Sequence, residues 1–153
     1  ITESKDRIAM LNLALKDLPY CVVSEFEMKR EGNTYTAQTL ELLQKEYPEC
    51  QFYFIIGADS LFNMEEWIHP EILLKSCKML AAYRDEKSRD EMLAQIQYLN
   101  EKYDAEIYLL NTPNVDISSS DIRRMIKEGT TIQGLVPESV FQFIEEKQLF
   151  RDE

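Results

Sequence analysis

Three consecutive serines, Ser118, Ser119 and Ser120, stand directly before Asp121, Ile122 and the pair Arg123 and Arg124. Hydroxyl and guanidinium groups are donors suited to a phosphate. A helix that opens at such a cluster adds unpaired backbone N–H groups and the positive end of its macrodipole. With Arg123 in its first turn leaning toward the same ligand, this helix would form a phosphate cradle. A plainer reading uses the same residues. Ser118 and Asp121 stand at capping-box spacing ahead of an apolar residue, and because capping serines are common, spacing alone favours the cap.

A second group lies in FIIGADSLFNMEEWI, residues 54–68. Gly57 at a strand end would let the backbone approach a ligand closely. Asp59 has the chemistry to grip a pair of ribose hydroxyls, but Asp59 or Ser60 could equally cap the following helix. Trp67, the sole tryptophan, could stack on a heteroaromatic ring or fill a core. In REGNTYTAQTL, residues 30–40, Tyr35 and Thr36 offer donors where a helix begins; the bland alternative is a turn with Thr34 or Thr36 as N-cap. Arg84 could reach an anion or could be an ordinary surface arginine.

These side chains need a scaffold, and composition bounds it. The 153 residues carry a formal charge of −11, with 44% hydrophobic and 29% charged residues. That fits one globular domain spanning 1–153, with a real core. The acidic balance disfavours partners such as a nucleic-acid backbone or an anionic membrane, while a local basic cluster still permits a small anionic substrate. No apolar run approaches the length of a bilayer span, and the N-terminus lacks the pattern of a signal peptide. Cys21, Cys50 and Cys77 have no metal-type spacing. They read as buried or partly buried free thiols of a reducing, cytoplasmic protein. His69 is the only histidine, so no metal site built on a histidine pair is expected.

Periodicity places the elements. Ile8, Leu11, Leu15 and Leu18 predict a helix over 4–18 with Ser4 as N-cap, stopped by Pro19. Alternation in CVVSEFEM, residues 21–28, predicts a half-buried strand. Leu40, Leu43 and Tyr47 predict a second helix. The run QFYFIIG, residues 51–57, predicts a central strand buried on both faces. Then come a short helix at Pro70, a strand over 77–83, and a helix with Met92, Ile96, Leu99 and Tyr103 in register. A strand over 106–110 follows, then the serine helix ending near Gly129, and a last helix with Pro137 in its first turn. Alternating strands and helices predict an open α/β fold, a Rossmann-like, doubly wound and mostly parallel sheet with helices on both faces. Ligands of such sheets sit beyond the strand C-termini where strand order reverses. That rule points to Gly57–Asp59 and to the segment after Leu110, so the chemical groups are expected along one edge of the sheet.

Taken together and in order, REGNTYTAQTL, FIIGADSLFNMEEW, ISSSDIRRMIKEG and LVPESVFQFIEEKQLF resemble the bacterial nicotinate-mononucleotide adenylyltransferases. These belong to the HxGH nucleotidyltransferase superfamily and act in NAD biosynthesis. The resemblance runs from Asp6 and Arg7 to the C-terminus. It implies adenylyl transfer from ATP to nicotinate mononucleotide, giving deamido-NAD and pyrophosphate, with Mg²⁺ accompanying ATP and no tightly bound cofactor. It assigns ATP-phosphate binding to Ser118, Ser119, Ser120 and Arg123, and ribose and nucleotide-backbone contact to Gly57 and Asp59. Nicotinate binding falls to Trp67, the N–H of Ile68, Tyr35 and Thr36, and contact with the nucleotide substrate to Arg84.

One departure stands out. The family's G-G-x-F-D-P-x-H-x-G-H loop is absent from the 153 residues, so no catalytic residue is expected in this chain. The expectation is the family scaffold without its first βα portion, inactive by itself, with an exposed sheet edge through which copies could pair. Rival readings are a non-catalytic nucleotide-binding or interaction module and a pantetheine-phosphate adenylyltransferase relative. Trp67 and the Tyr35–Thr36 pair favour nicotinate over pantetheine phosphate.

Overall fold

The computed structural model describes residues 2–83, 88–112 and 117–151. They gather into two compact units, 27–116 and the pairing of 1–26 with 117–153.

The first of these holds α2 (Thr36–Glu46), β1 (Tyr53–Gly57), α3 (Ala58–Phe62), a 3-10 turn (Met64–Glu66), α4 (Pro70–Ser76), β2 (Lys78–Ala82), α5 (Arg89–Tyr103) and β3 (Ile107–Leu110). The strands form one parallel sheet in the order β1-β2-β3, with Ile55 opposite Leu80 and Leu80 opposite Tyr108. Parallel neighbours need helical crossovers, which are almost always right-handed. Strands laid down in one direction therefore send successive crossover helices to one face. On that face Phe54, Ile56, Met79, Ala81, Ile107 and Leu109 join Leu61, Met64, Leu73, Leu74, Met92, Ile96 and Leu99 in one apolar core. The predicted stripe of α5 is confirmed: Met92, Ile96 and Leu99 are buried and Tyr103 is half-buried.

Two strand expectations are corrected. On the other face of β1, Tyr53 and Ile55 are 57% and 64% exposed, so the strand is covered on one face only. An apolar run says that a strand can be buried, while connection handedness decides which face its own helices cover. The three described strands follow chain order. Residues 21–28 form no strand; 26–29 are turn, and Val22 is 86% exposed. Their alternation found no ladder to join, and a lone alternating segment gains nothing from its pattern.

The second unit contains α1 (Ser4–Ala14), α6 (Ser119–Lys127) and α7 (Glu138–Lys147). Ile126, Ile132, Val140 and Ile144 form its core, with Met10, Leu13, Ile122, Phe141 and Phe150 packed against them. Glu3, not Ser4, occupies the N-cap position of α1, and it makes no side-chain cap bond. Gly129 ends α6 as predicted: at φ +71° its N–H reaches Ile126 O while Thr130 N–H reaches Met125 O, a paired closure that favours glycine. Cys21 and Cys77 are shielded as expected but Cys50 is exposed. Burial pushes the Cys77 thiol up to about 11, leaving it protonated and inert near neutrality.

Candidate functional site

The serine helix develops as the capping alternative described. Ser118 is the N-cap; its Oγ accepts from Asp121 N–H at 3.0 Å, and Asp121 Oδ2 accepts from Ser118 N–H at 3.1 Å. Ser118 Oγ also donates to that carboxylate at 2.5 Å. The Ser118 hydroxyl, then its backbone N–H, with Arg124 adding a smaller part, hold the Asp121 carboxyl below the usual aspartate range. Arg124 Nη2 reaches Asp121 Oδ1 at 2.6 Å. Ser118, Asp121 and Arg124 are thus engaged with one another. Exposed Ser119 and Ser120 retain their hydroxyls and their first-turn N–H groups.

Arg123 is the fifth residue of α6, in its second turn rather than its first. It is exposed, and its guanidinium carbon lies 5.8 Å from the centroid of the Phe150 ring. A guanidinium over an aromatic face is attracted by the ring, and an exposed one can still donate to an anion. Phe150 itself has φ +65°, a left-handed backbone rarely adopted by a bulky residue. Arg151, which pairs with Glu145 at 2.9 Å, holds this hook against the end of α7.

In the sheet unit, β1 delivers Gly57 and Asp59 at its C-terminal end. Gly57 is the N-cap of α3, and neither Asp59 nor Ser60 caps that helix with its side chain. Asp59 is exposed, and no side chain among the described residues pairs with it. An acidic group in a first helical turn is favoured by the dipole whatever else it does. Gly57 has φ −83°, and a Cβ added there would meet nothing within 4 Å. Its own fold therefore does not require glycine, and the space above it is open.

Tyr35 and Ile68 come together. They line one cavity of about 380 Å³ with Ala37, Gln38, Glu41, His69 and Ile72. Tyr35 is the N-cap of α2, in place of Thr34 or Thr36, and has no capping side chain to spend. Thr36 is the first residue of α2 and does not itself line the cavity. Trp67 precedes Ile68; it is half-buried against the core, with its ring edge-on to Phe54 at 6.4 Å and 70°. The indole is thus neither free nor sunk in the core. No described group accepts from the Ile68 N–H. His69 turns the chain with φ +55° and ψ +57°, and Pro70 then opens α4. A left-handed histidine in a cavity wall is the kind of backbone strain that binding sites retain.

Gln38, Glu41, His69 and Ile72 were missed by sequence reasoning. One signal was available: Tyr35, Gln38 and Glu41 recur every three residues and so share a helix face. Arg84 lies outside the described residues. Among the described residues no group of three His, Cys, Asp or Glu side chains is placed to hold a metal ion, and no helix is long and apolar enough to cross a membrane.

Residues 1–125 match the cytidylyltransferase-like family, which sets the class of protein. The relatives are more specific. A probable nicotinate-nucleotide adenylyltransferase of Lachnoclostridium phytofermentans is 47% identical over 144 residues, 94% of this chain and 72% of its own length. Another, of Carboxydothermus hydrogenoformans, is 38% identical over 151 residues, 99% of this chain and 75% of its own length. The chain belongs to the cytidylyltransferase-like family and, within it, to these nicotinate-nucleotide adenylyltransferases; it is an enzyme chain of the transferase class. The fold agrees. The Plasmodium falciparum nicotinic acid mononucleotide adenylyltransferase, solved in complexes with APC and with NaAD, superposes with TM-scores of 0.77 and 0.76 at 20% identity. Each match covers 98% of this chain, and 77% and 75% of those chains. The sheet is thus that of a Rossmann-like nucleotidyltransferase.

Proposed function

We propose that this chain serves adenylyl transfer from ATP to nicotinate mononucleotide in NAD biosynthesis. A phosphate oxygen of the mononucleotide attacks the α-phosphorus of ATP. The new P–O bond gives deamido-NAD, the bond to the β-phosphate breaks, and pyrophosphate leaves with its electron pair. No covalent enzyme intermediate is needed. Catalysis rests on positioning and on donors aimed at the phosphates. Mg²⁺ enters as part of the ATP substrate, and no step is assigned to a resident metal.

In this reading the residues take separate roles. Ser119, Ser120, the N-terminal amides of α6 and Arg123 hold the β- and γ-phosphates, while Ser118 builds the helix end on which they stand. Gly57 admits the nucleotide backbone and Asp59 takes ribose hydroxyls. Tyr35, Thr36, Trp67 and the Ile68 N–H receive the nicotinate ring. Glu41 adds a carboxylate to the cavity wall, so the ring carboxylate is expected to point away from it, toward the free Ile68 N–H. Arg84 is kept as a contact to the nucleotide substrate. The substrates are small molecules, and the location is cytoplasmic.

The observation that carries this reading is the meeting of Tyr35 and Ile68 in one cavity, next to a half-buried Trp67, in a chain 47% identical to a probable nicotinate-nucleotide adenylyltransferase. It is tested by pyrophosphate release from ATP with the full-length protein, supplied with nicotinate or nicotinamide mononucleotide. Faster release with the nicotinate form is expected. Release with neither, or with pantetheine phosphate alone, contradicts the assignment.

A further inference from the structure

Between α3 and α4 the chain makes a single 3-10 turn, Met64–Glu66, and then presents Trp67 and Ile68. The turn is pinned from two directions. The Met64 side chain is fully buried in the core of the sheet unit. Glu65 reaches instead to α5, where its carboxylate accepts from Lys102 Nζ, from Tyr103 Oη at 2.9 Å and from Tyr98 Oη at 3.4 Å. Lys102 Nζ also donates to Tyr98 Oη at 2.8 Å, and the ammonium lies 5.2 and 5.4 Å from the centroids of the Tyr98 and Tyr103 rings. Three donors within about a turn and a half of α5 thus converge on one carboxylate. Trp67 N–H closes the turn onto Met64 O at 3.2 Å. Just beyond, the left-handed His69 and Pro70 fix the exit.

A lone surface ion pair contributes little. This cluster differs because two ring-borne hydroxyls with little rotamer freedom share the carboxylate with the ammonium, and the rings also shelter that ammonium. The same contacts, Lys102 first and Tyr103 second, hold the Glu65 carboxyl below the usual carboxylate range. Glu65 and then Tyr98 raise the Lys102 ammonium. Both groups are therefore charged across the whole neutral range. Glu65 lies two residues from Trp67, and none of Glu65, Tyr98, Lys102 and Tyr103 lines the cavity.

We infer that Glu65, clamped by Lys102, Tyr98 and Tyr103 of α5, is a positioning residue that sets the orientation of the Trp67 indole and hence recognition of the pyridine ring. The inference rests on the proposed role of Trp67 and deepens it. Its physical content is that a 3-10 turn of three residues cannot orient a large side chain by its own hydrogen bonds. The buried Met64 fixes the turn's depth, and the Glu65 clamp fixes its rotation.

The test uses the full-length protein labelled with 5-fluorotryptophan, the Trp67 fluorine resonance being assigned by its loss in Trp67→Phe. Glu65→Ala is expected to raise KM for nicotinate mononucleotide by roughly tenfold, the scale on which misplaced binding groups act. KM for ATP stays within about twofold, and the Trp67 resonance shifts or broadens. Glu65→Gln, which still accepts hydrogen bonds, recovers part of the loss. Lys102→Met shifts KM in the same direction, and the double variant Glu65→Ala with Lys102→Met is no worse than the worse single one, as residues of one cluster require. An unchanged KM for the mononucleotide, or equal rises in both KM values, overturns the inference. Should Trp67→Ala leave that KM untouched, the stacking role itself fails. The fluorine resonance then decides alone whether Glu65 orients the indole: a resonance unmoved by Glu65→Ala overturns the clamp, and a shifted one upholds it.

Discussion

The N-terminus of α6 and the cavity lined by α2 and the Ile68–Ile72 segment treat their polar groups in opposite ways. At α6 the donors are conspicuous in sequence, yet much of the set is used internally: the Ser118 hydroxyl and Arg124 are both committed to Asp121. At the cavity the donors are inconspicuous. They are a backbone N–H at Ile68 and a tyrosine at an N-cap, brought together from segments about thirty residues apart, and neither is engaged by the described residues. Counting donors in sequence overstates the first region and understates the second. What a region can bind depends on the groups left after the fold has satisfied itself.

Substitutions can sharpen this contrast, and the largest effect belongs to the cavity side. Trp67→Ala should weaken nicotinate mononucleotide binding by about 1–3 kcal/mol, the range for base–aromatic stacking, and leave ATP binding nearly intact. Separate calorimetric titrations of the two substrates measure this, and equal losses would remove the stacking role. The variant should also melt earlier, because the indole packs against Phe54.

Arg123→Ala comes next. It should slow adenylyl transfer by about 10–100-fold, somewhat less than loss of a dedicated oxyanion donor. The melting temperature should hardly move, since the side chain is exposed. Full activity in this variant would take Arg123 out of the phosphate site.

The three serines should separate by function. Ser118→Ala is expected to cost about 1 kcal/mol of stability through loss of the cap, with a modest change in KM for ATP. Ser119→Ala and Ser120→Ala should spare stability and raise KM for ATP more. If all three behave alike, cap and cradle are not distinct. Gly57→Ala sets the same question at the end of β1. The backbone tolerates it and the space is open, so stability should hold or rise by less than about 1 kcal/mol. Any loss of affinity would then report a ligand lying against that backbone.

The smallest effect is one of pH. The Asp121 carboxyl titrates lower in the folded chain than in the unfolded one, chiefly because of the Ser118 hydroxyl. Its stabilisation is complete above the unfolded value of about 3.9 and is lost as pH falls through the lower folded value. Urea melts should therefore show the difference between wild type and Asp121→Asn shrinking as pH drops below about 4. A difference constant with pH would show that the carboxylate charge does not support the cap.

The sequence by itself determined what depends on neighbours along the chain. The apolar stripe of α5, the stop at Gly129, the Ser118–Asp121 capping box, and the short parallel strands ending at Gly57 and Leu110 were all legible from spacing and residue type. So was the family, because its motifs stand in order. Tertiary structure decided the rest. It left Tyr53 and Ile55 exposed on one face of β1, since the handedness of crossovers, not apolar content, chooses the face that helices cover. It denied residues 21–28 a ladder, since a strand exists only with a partner. It set Arg123 over Phe150, placed Tyr35 and Ile68 around one cavity, and tied Glu65 to Lys102 and Tyr103. Each of these brings distant segments together, which no local pattern encodes.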